Sequence, residues 1–141
     1  MKILLAADGS EYTQRSARHL ASLLQWFAQK PEVHVLHVHP PIPYAAAAAV
    51  VGKEAIARYQ KEDSEKALAV ATKELQAAGV PHKTHWRVGV TVDEIAAFAK
   101  ENGIELIVMG SHGHGALANV ALGSVATKVI AATKVPVLIV R

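Results

Sequence analysis

Short apolar runs, each ended at once by turn residues and each followed by a helical stretch, constrain this chain more than any other feature. Lys2 to Ala7 is one such run, closed by Asp8-Gly9-Ser10, and Val33 to His39 is a second. His82 to Val88, Glu105 to Met109 and Val135 to Val140 supply three more. A run of this length, apolar on both faces, fits a strand covered by helices on each side. Between the runs, apolar residues recur at helical spacing. Ala17, Leu20, Ala21, Leu24 and Ala28 line one stripe before Pro31, and Ala67, Ala71 and Leu75 line another between Glu54 and Ala78. Ser10 caps the first helix, Gly79 and Pro81 end the second, and Thr91-Val92-Asp93-Glu94 reads as a capping box for a third that stops at Gly103. A last helix runs from about Ser124 to Ala132.

Strands alternating with helices predict an α/β fold, a doubly wound parallel sheet of five strands with helices on both faces. Right-handed crossovers leave few orders, and 3-2-1-4-5 is the expected one. The 141 residues suit one domain, spanning 1–141, with no linker or internal repeat. Hydrophobic residues make up 51% and charged ones 19%, which fits a packed chain and excludes a disordered one. The lack of cysteine excludes disulfides, thiolate metal sites and a thiol nucleophile. A net charge of +3 is spread along the chain rather than clustered, so no nucleic-acid footprint is expected. The opening apolar stretch is too brief for a signal core or a membrane span, and a soluble cytoplasmic protein is expected.

In a sheet of this order, ligands bind at the carboxyl ends of the strands where the winding reverses, between the first and fourth. The first strand delivers Asp8-Gly9-Ser10 there. The fourth delivers Gly110-Ser111-His112-Gly113-His114-Gly115, and Gly123-Ser124 opens the last helix. Glycines let the backbone approach an anion, amides at a helix start point at it, and serine hydroxyls donate to it. The residues therefore support a small anionic ligand without naming it. His112 and His114 add positive charge to this loop when protonated.

The spacing Gly110-x2-Gly113-x9-Gly123-Ser124 resembles the nucleotide-binding signature of the universal stress protein family. Ala6-Ala7-Asp8-Gly9-Ser10, Leu36-His37-Val38 and the terminal Val135 to Val140 are similar to that family's first, second and last strand motifs. The resemblance implies an ATP- or AMP-binding fold, usually homodimeric, in stress physiology. Position by position, it implies that Ala6, Ala7, Asp8 and Val38 surround adenine and ribose, with Met109 under the nucleoside. Asp8 would accept from the nucleotide or help hold Mg2+. Gly110, Ser111 and Gly113 would line the phosphates, and Gly123, Ser124 and Val125 would close that end.

The loop lacks the Gly-Lys-Ser/Thr ending of a fast NTPase, and Asp8 is the only acid near it, with no arginine finger in view. Catalytic residues are therefore not assigned. Binding that reshapes the surface between Gly113 and Gly123 for a protein partner is the favoured reading. A slow Mg-dependent ATP hydrolase and a nucleotide-free dimeric interaction module stay open beside it. No histidine metal site is expected: His37 belongs to the strand motif, and His34, His82 and His85 read as surface residues. Trp26 and Trp86 read as packing residues, and the segment from Pro40 to Gly52 as a lid or partner surface. The last strand, apolar on both faces at a sheet edge, is expected to pair with its copy in a homodimer.

Overall fold

The computed structural model describes residues 1–43, 49–115 and 121–141. Its strands are β1 (Lys2–Ala6), β2 (Glu32–His39), β3 (His82–Val88), β4 (Leu106–Gly110) and β5 (Val137–Val140). All pair in parallel, in the order β3-β2-β1-β4-β5. The helices are α1 (Glu11–Leu23), α2 (Lys53–Ala77), α3 (Thr91–Asn102) and α4 (Ser124–Ala132). The expected α/β architecture and strand order are thus those of the structure.

Strand alternation divides the core into two layers. Ile3, Leu5, Val33, Val35 and Val108 face α1 and α2, packing on Ala17, Leu20, Leu68, Ala71 and Leu75. Leu4, Leu36, Ile107 and Met109 face α3 and α4, packing on Ile95, Phe98, Ala126 and Val129. Central strands buried on both sides explain why β1 and β4 read as unbroken apolar runs.

Local chemistry sets the helix ends. Ser10 Oγ accepts from the Thr13 amide at 3.3 Å, and Glu11 sits in the positive first turn. At the end of α2, Gly79 takes φ +67°, and the Val80 amide reaches back to the Leu75 carbonyl at 2.8 Å. That is a Schellman closure, and its left-handed position favours glycine.

Three expectations need correction. The first helix does not run to Pro31: it ends at Leu23 and tightens into a 3-10 turn at Leu24–Trp26. Phe27 then turns extended and packs against the core, which leaves Ala28 exposed and Trp26 85% exposed, not packed; Trp86 is 39% exposed. The Thr91–Glu94 capping box does not form. Val90 takes the cap position, Thr91 is already helical, and Glu94 turns instead to Arg87 at 3.3 Å.

The third correction concerns β3. Thr84, Trp86 and Val88 form its more exposed face, whereas Arg87 and His85 turn toward Phe98, with the guanidinium 5.0 Å from the ring centre. His34 joins this layer: it is buried, not on the surface, and its Nδ1 lies 3.0 Å from His85 Nε2. Its Nε2 lies 3.2 Å from Glu32 Oε1.

Burial pushes the imidazoles of both His34 and His85 below their ordinary value. Lys83 adds to the effect at each, Lys2 adds to it at His34, Arg87 and His34 add to it at His85, and Glu32 opposes it at His34. A histidine lowered in the folded state binds its proton more readily once unfolded. Stability is therefore intact above pH 6.5, the ordinary imidazole value, and falls as the pH drops below it. Urea midpoints measured from pH 8 to pH 5 should decline, and a His34→Phe/His85→Phe variant should decline less steeply. An equal slope in the two proteins would reject this assignment.

Candidate nucleotide site

The end of β1 is tied into a compact knot. The Ser10 amide donates to Asp8 Oδ1 at 2.9 Å, and the Thr13 hydroxyl donates to the same oxygen at 2.8 Å. The Asp8 amide in turn donates to Thr13 Oγ1 at 2.9 Å. Gly9 makes this turn at φ +80°, where a side chain would meet Ala67 Cα at 2.9 Å. Burial by itself raises the Asp8 carboxyl. The hydrogen bonds from Ser10 and Thr13, with His114 nearby, outweigh burial and hold it below the usual aspartate value. Asp8 is thus an anion at neutral pH, with one oxygen committed to the knot.

The loop after β4 closes on this knot. A Cβ on Gly113 would overlap Asp8 Oδ2, and one on Gly110 would lie 2.5 Å from Tyr12 Cβ. Two of the loop's glycines are therefore required by space rather than by backbone angle. His114 Nε2–H donates to the Asp8 carbonyl at 2.9 Å, and Ser111 Oγ lies 3.0 Å from His112 Nδ1. The Ser111 amide reaches the Val140 carbonyl at 2.7 Å, and the Gly123 amide reaches the Ser111 carbonyl at 2.7 Å. The loop is thereby fastened to β5 on one side and to the start of α4 on the other. The amide of Gly123 is used in this fastening, so the outward-pointing amides of α4 begin at Ser124.

Between these parts lies a cavity of about 500 Å³. Ala6, Leu36, Val38, Ile95 and Met109 give it an apolar end. Gly110, Ser111, Gly113, Gly123, Ser124 and Val125 give it a glycine- and amide-rich end, with His112 and His114 beside them. Ala7 and Asp8 stand at the end of β1, where the winding reverses. All eleven residues expected from the sequence border this one cavity.

Sequence reading did not assign Thr13, Leu36, Thr91, Ile95 or Ala126 to the site, and all five border it, as does Pro40 at the start of the expected lid. Thr13 carried a readable signal: a hydroxyl one turn into the helix that a capping serine opens. Thr91 was legible only as a cap, a role it does not fill. Lys128 is exposed on α4 and does not border the cavity. Residues 44–48 of the expected lid and 116–120 of the phosphate loop lie outside the described residues. Among the described residues no cluster of three or more metal-ligating side chains occurs.

The family model described as "Universal stress protein family" matches residues 1–141. The chain belongs to the universal stress protein family. Universal stress protein MJ0531 of Methanocaldococcus jannaschii is 34% identical over 140 residues, covering 99% of this chain and 81% of that protein. The solved structure of MJ0577, from the same organism, superposes with a TM-score of 0.81 at 31% identity, over 99% of this chain and 94% of that one. The universal stress protein of Archaeoglobus fulgidus, solved in complex with dAMP, superposes with a TM-score of 0.66 at 26% identity, over 100% of this chain and 98% of that one.

The two crowded glycines differ in what they touch. At Gly110 the obstacle is the Cβ of Tyr12 on the body of α1, which cannot swing aside. At Gly113 it is the end of a side chain, though one pinned by two hydrogen bonds. Each alanine substitution is expected to cost about 1–3 kcal/mol, with Gly110→Ala the costlier. Thr13→Val, which keeps the shape and removes the hydroxyl, is expected to cost about 1–3 kcal/mol through the unpaired Asp8 groups. Urea denaturation checks both statements. A Gly113→Ala protein less stable than Gly110→Ala, or a neutral Thr13→Val, would count against this geometry.

Proposed function

We propose that the chain binds an adenine nucleotide, ATP or AMP, in this cavity and acts as a nucleotide-dependent regulatory module in the stress response. The observation that carries the reading is the division of the cavity into a dry end and an anion-seeking end, with one ionised carboxylate between them. A ligand matching it has a flat apolar ring at one pole, hydroxyls in the middle and negative charge at the other. The volume fits a small-molecule site. The dAMP complex of the Archaeoglobus relative supports the same ligand class.

In this reading Ala6, Val38 and Met109 hold the base, with Ile95 completing the wall. Ala7 and Asp8 face the ribose, where the ionised Asp8 carboxylate accepts from sugar hydroxyls. Gly110, Ser111 and Gly113 let the backbone close on the phosphates. Gly123, Ser124 and Val125 bring the positive end of α4 to them. Asp8 Oδ2, with the hydroxyls of Ser111 and Ser124, is the group that would hold a Mg2+ ion arriving with the phosphates. Such an ion would neutralise phosphate charge.

Among the described residues no lysine borders the cavity, and Asp8 is the one carboxylate that does. Binding with slow turnover follows, because phosphoryl transfer draws its rate from positioned charge. The reading includes a cytoplasmic homodimer paired through β5, with the nucleotide state read by a further protein.

Purified full-length protein should melt at a higher temperature in millimolar ATP or AMP than without it, since a ligand of the native state raises apparent stability. Turnover of Mg-ATP should stay well below about 1 s⁻¹. No thermal shift with any adenine nucleotide would favour the nucleotide-free interaction module, and brisk hydrolysis lost in Asp8→Ala would favour the hydrolase. Light scattering should return twice the mass of one chain, and a monomer at high concentration would remove the β5 dimer.

A further inference from the structure

Behind the end of β1, on the sheet face away from α3 and α4, lies a second group of polar side chains that the cavity does not use. His37 is buried, and its Nδ1 lies 2.8 Å from the Ala7 carbonyl. A carbonyl only accepts, so Nδ1 carries the proton, and in the neutral ring Nε2 is left as a bare acceptor. That Nε2 is buried and has no partner. Gln60 Nε2 and Ser64 Oγ, both buried on α2, are without partners as well.

The topology places these three residues on facing elements, His37 on β2 and the other two on α2. Gln60 and Ser64 are one turn apart on the buried stripe of α2 that continues through Ala67, Leu68, Ala71 and Leu75. The later part of that stripe packs over Ile3, Leu5, Val33 and Val35, and Gly9 abuts Ala67. His37 and His39 follow Val33 and Val35 on the same strand face, so they lie under the preceding turns of the helix. His39 Nε2 stands 3.5 Å from Asp63 Oδ2, and its ring centre 5.8 Å from that of Tyr59, which fixes the helix at that level. One acceptor, one amide donor and one hydroxyl thus share a layer in which polar atoms without partners are costly.

We infer that one ordered water molecule sits between β2 and α2, donating to His37 Nε2 and bonded to Gln60 and Ser64, and that His37 is thereby locked as a positioning residue for the Ala7 carbonyl at the edge of the nucleotide cavity. The donor and acceptor inventory matches a single water, which makes about three hydrogen bonds when buried. A metal ion is the poorer match, because an amide nitrogen is not a ligand and no metal-binding cluster occurs among the described residues. The water holds the tautomer. The tautomer holds the carbonyl, and the carbonyl precedes Asp8. A link of this kind connects α2 with the turn that carries Asp8, among the described residues the one carboxylate bordering the cavity.

The effect on nucleotide affinity rests on the adenine-nucleotide reading, whereas the water does not, so the two are tested apart. A high-resolution crystal structure of the full chain should show water within hydrogen-bonding distance of His37 Nε2, Gln60 and Ser64. A dry space, or a Gln60 amide turned directly onto His37, overturns the inference. Nitrogen NMR of the histidine-labelled protein should show the His37 proton on Nδ1 with Nε2 bare, and Ser64→Ala should move its Nε2 signal. A protonated Nε2, or no response to Ser64→Ala, overturns it as well. The amide of asparagine can replace only Nδ1 of histidine, and that of glutamine only Nε2. His37→Asn should therefore keep ATP affinity within about threefold, while His37→Gln should weaken it about tenfold, the worth of one hydrogen bond. Equal affinities in the two variants would remove the positioning role. If the unmutated protein binds no ATP, the adenine reading fails, and the water and imidazole measurements still decide this site.

Discussion

The carboxylate of Asp8 is the interaction on which the rest depends. It has to end β1, help open α1 and stay ionised while half-buried. The Ser10 amide and the Thr13 hydroxyl satisfy one oxygen, which outweighs the upward push of burial on the carboxyl. The other oxygen faces Gly113, at a separation no side chain on that residue would tolerate. The loop after β4 can reach the end of β1 only because glycine stands there, and only a carboxylate held still makes that approach reproducible.

From this contact the two poles of the cavity follow. Leu36, Val38, Ile95 and Met109 belong to the apolar layer that α3 and α4 cover, so one wall of the cavity is the core itself, exposed at the strand ends. The opposite wall is backbone: the glycine loop and the first turn of α4. Apolar surface comes from strands and donors come from a helix start because the sheet reverses its winding there, leaving β1 and β4 adjacent with no helix across their ends. The Ser111 amide on Val140 and the Gly123 amide on Ser111 then carry the position of β5 and α4 into the same wall.

Much of this was legible in the residues. Both faces of β1 and β4 are covered, so their apolar runs carry the period of nothing and announce burial outright. With the right-handed crossover rule that signal yields the strand order. The glycines, serines and Asp8 were legible as a group because positions from the ends of β1 and β4 and the start of α4 converge on one crevice. Legibility failed where one polar residue chose between two partners. Glu94 stands at the correct spacing to close a capping box with Thr91, yet an arginine across the turn at position 87 takes it. His34 reads as polar and outward on a strand that, being central, has no outward side. Its burial becomes intelligible only once His85 and Phe98 are seen beside it. Thr13 was missed because its two hydrogen bonds run to a residue five positions earlier, a pairing that periodicity does not register.

The two edges of the sheet are treated in opposite ways. On β3, Lys83 bonds to Glu32, and Arg87 is held by Glu94 and Glu101 while its guanidinium lies over Phe98. Exposed ion pairs of this kind add little stability. What they do is oppose strand addition, because a pairing chain would have to strip water from fixed charges. On β5 the four residues Val137–Val140 carry no charge, and three of them are only partly covered by the rest of the chain. A sheet that guards one edge with arginine and lysine has used the means available for guarding the other and has not applied it. The open edge is also the strand whose last carbonyl, at Val140, fastens the glycine loop through Ser111. The edge strand β5 and the glycine-rich side of the cavity are therefore joined directly, by the single hydrogen bond from the Ser111 amide to the Val140 carbonyl.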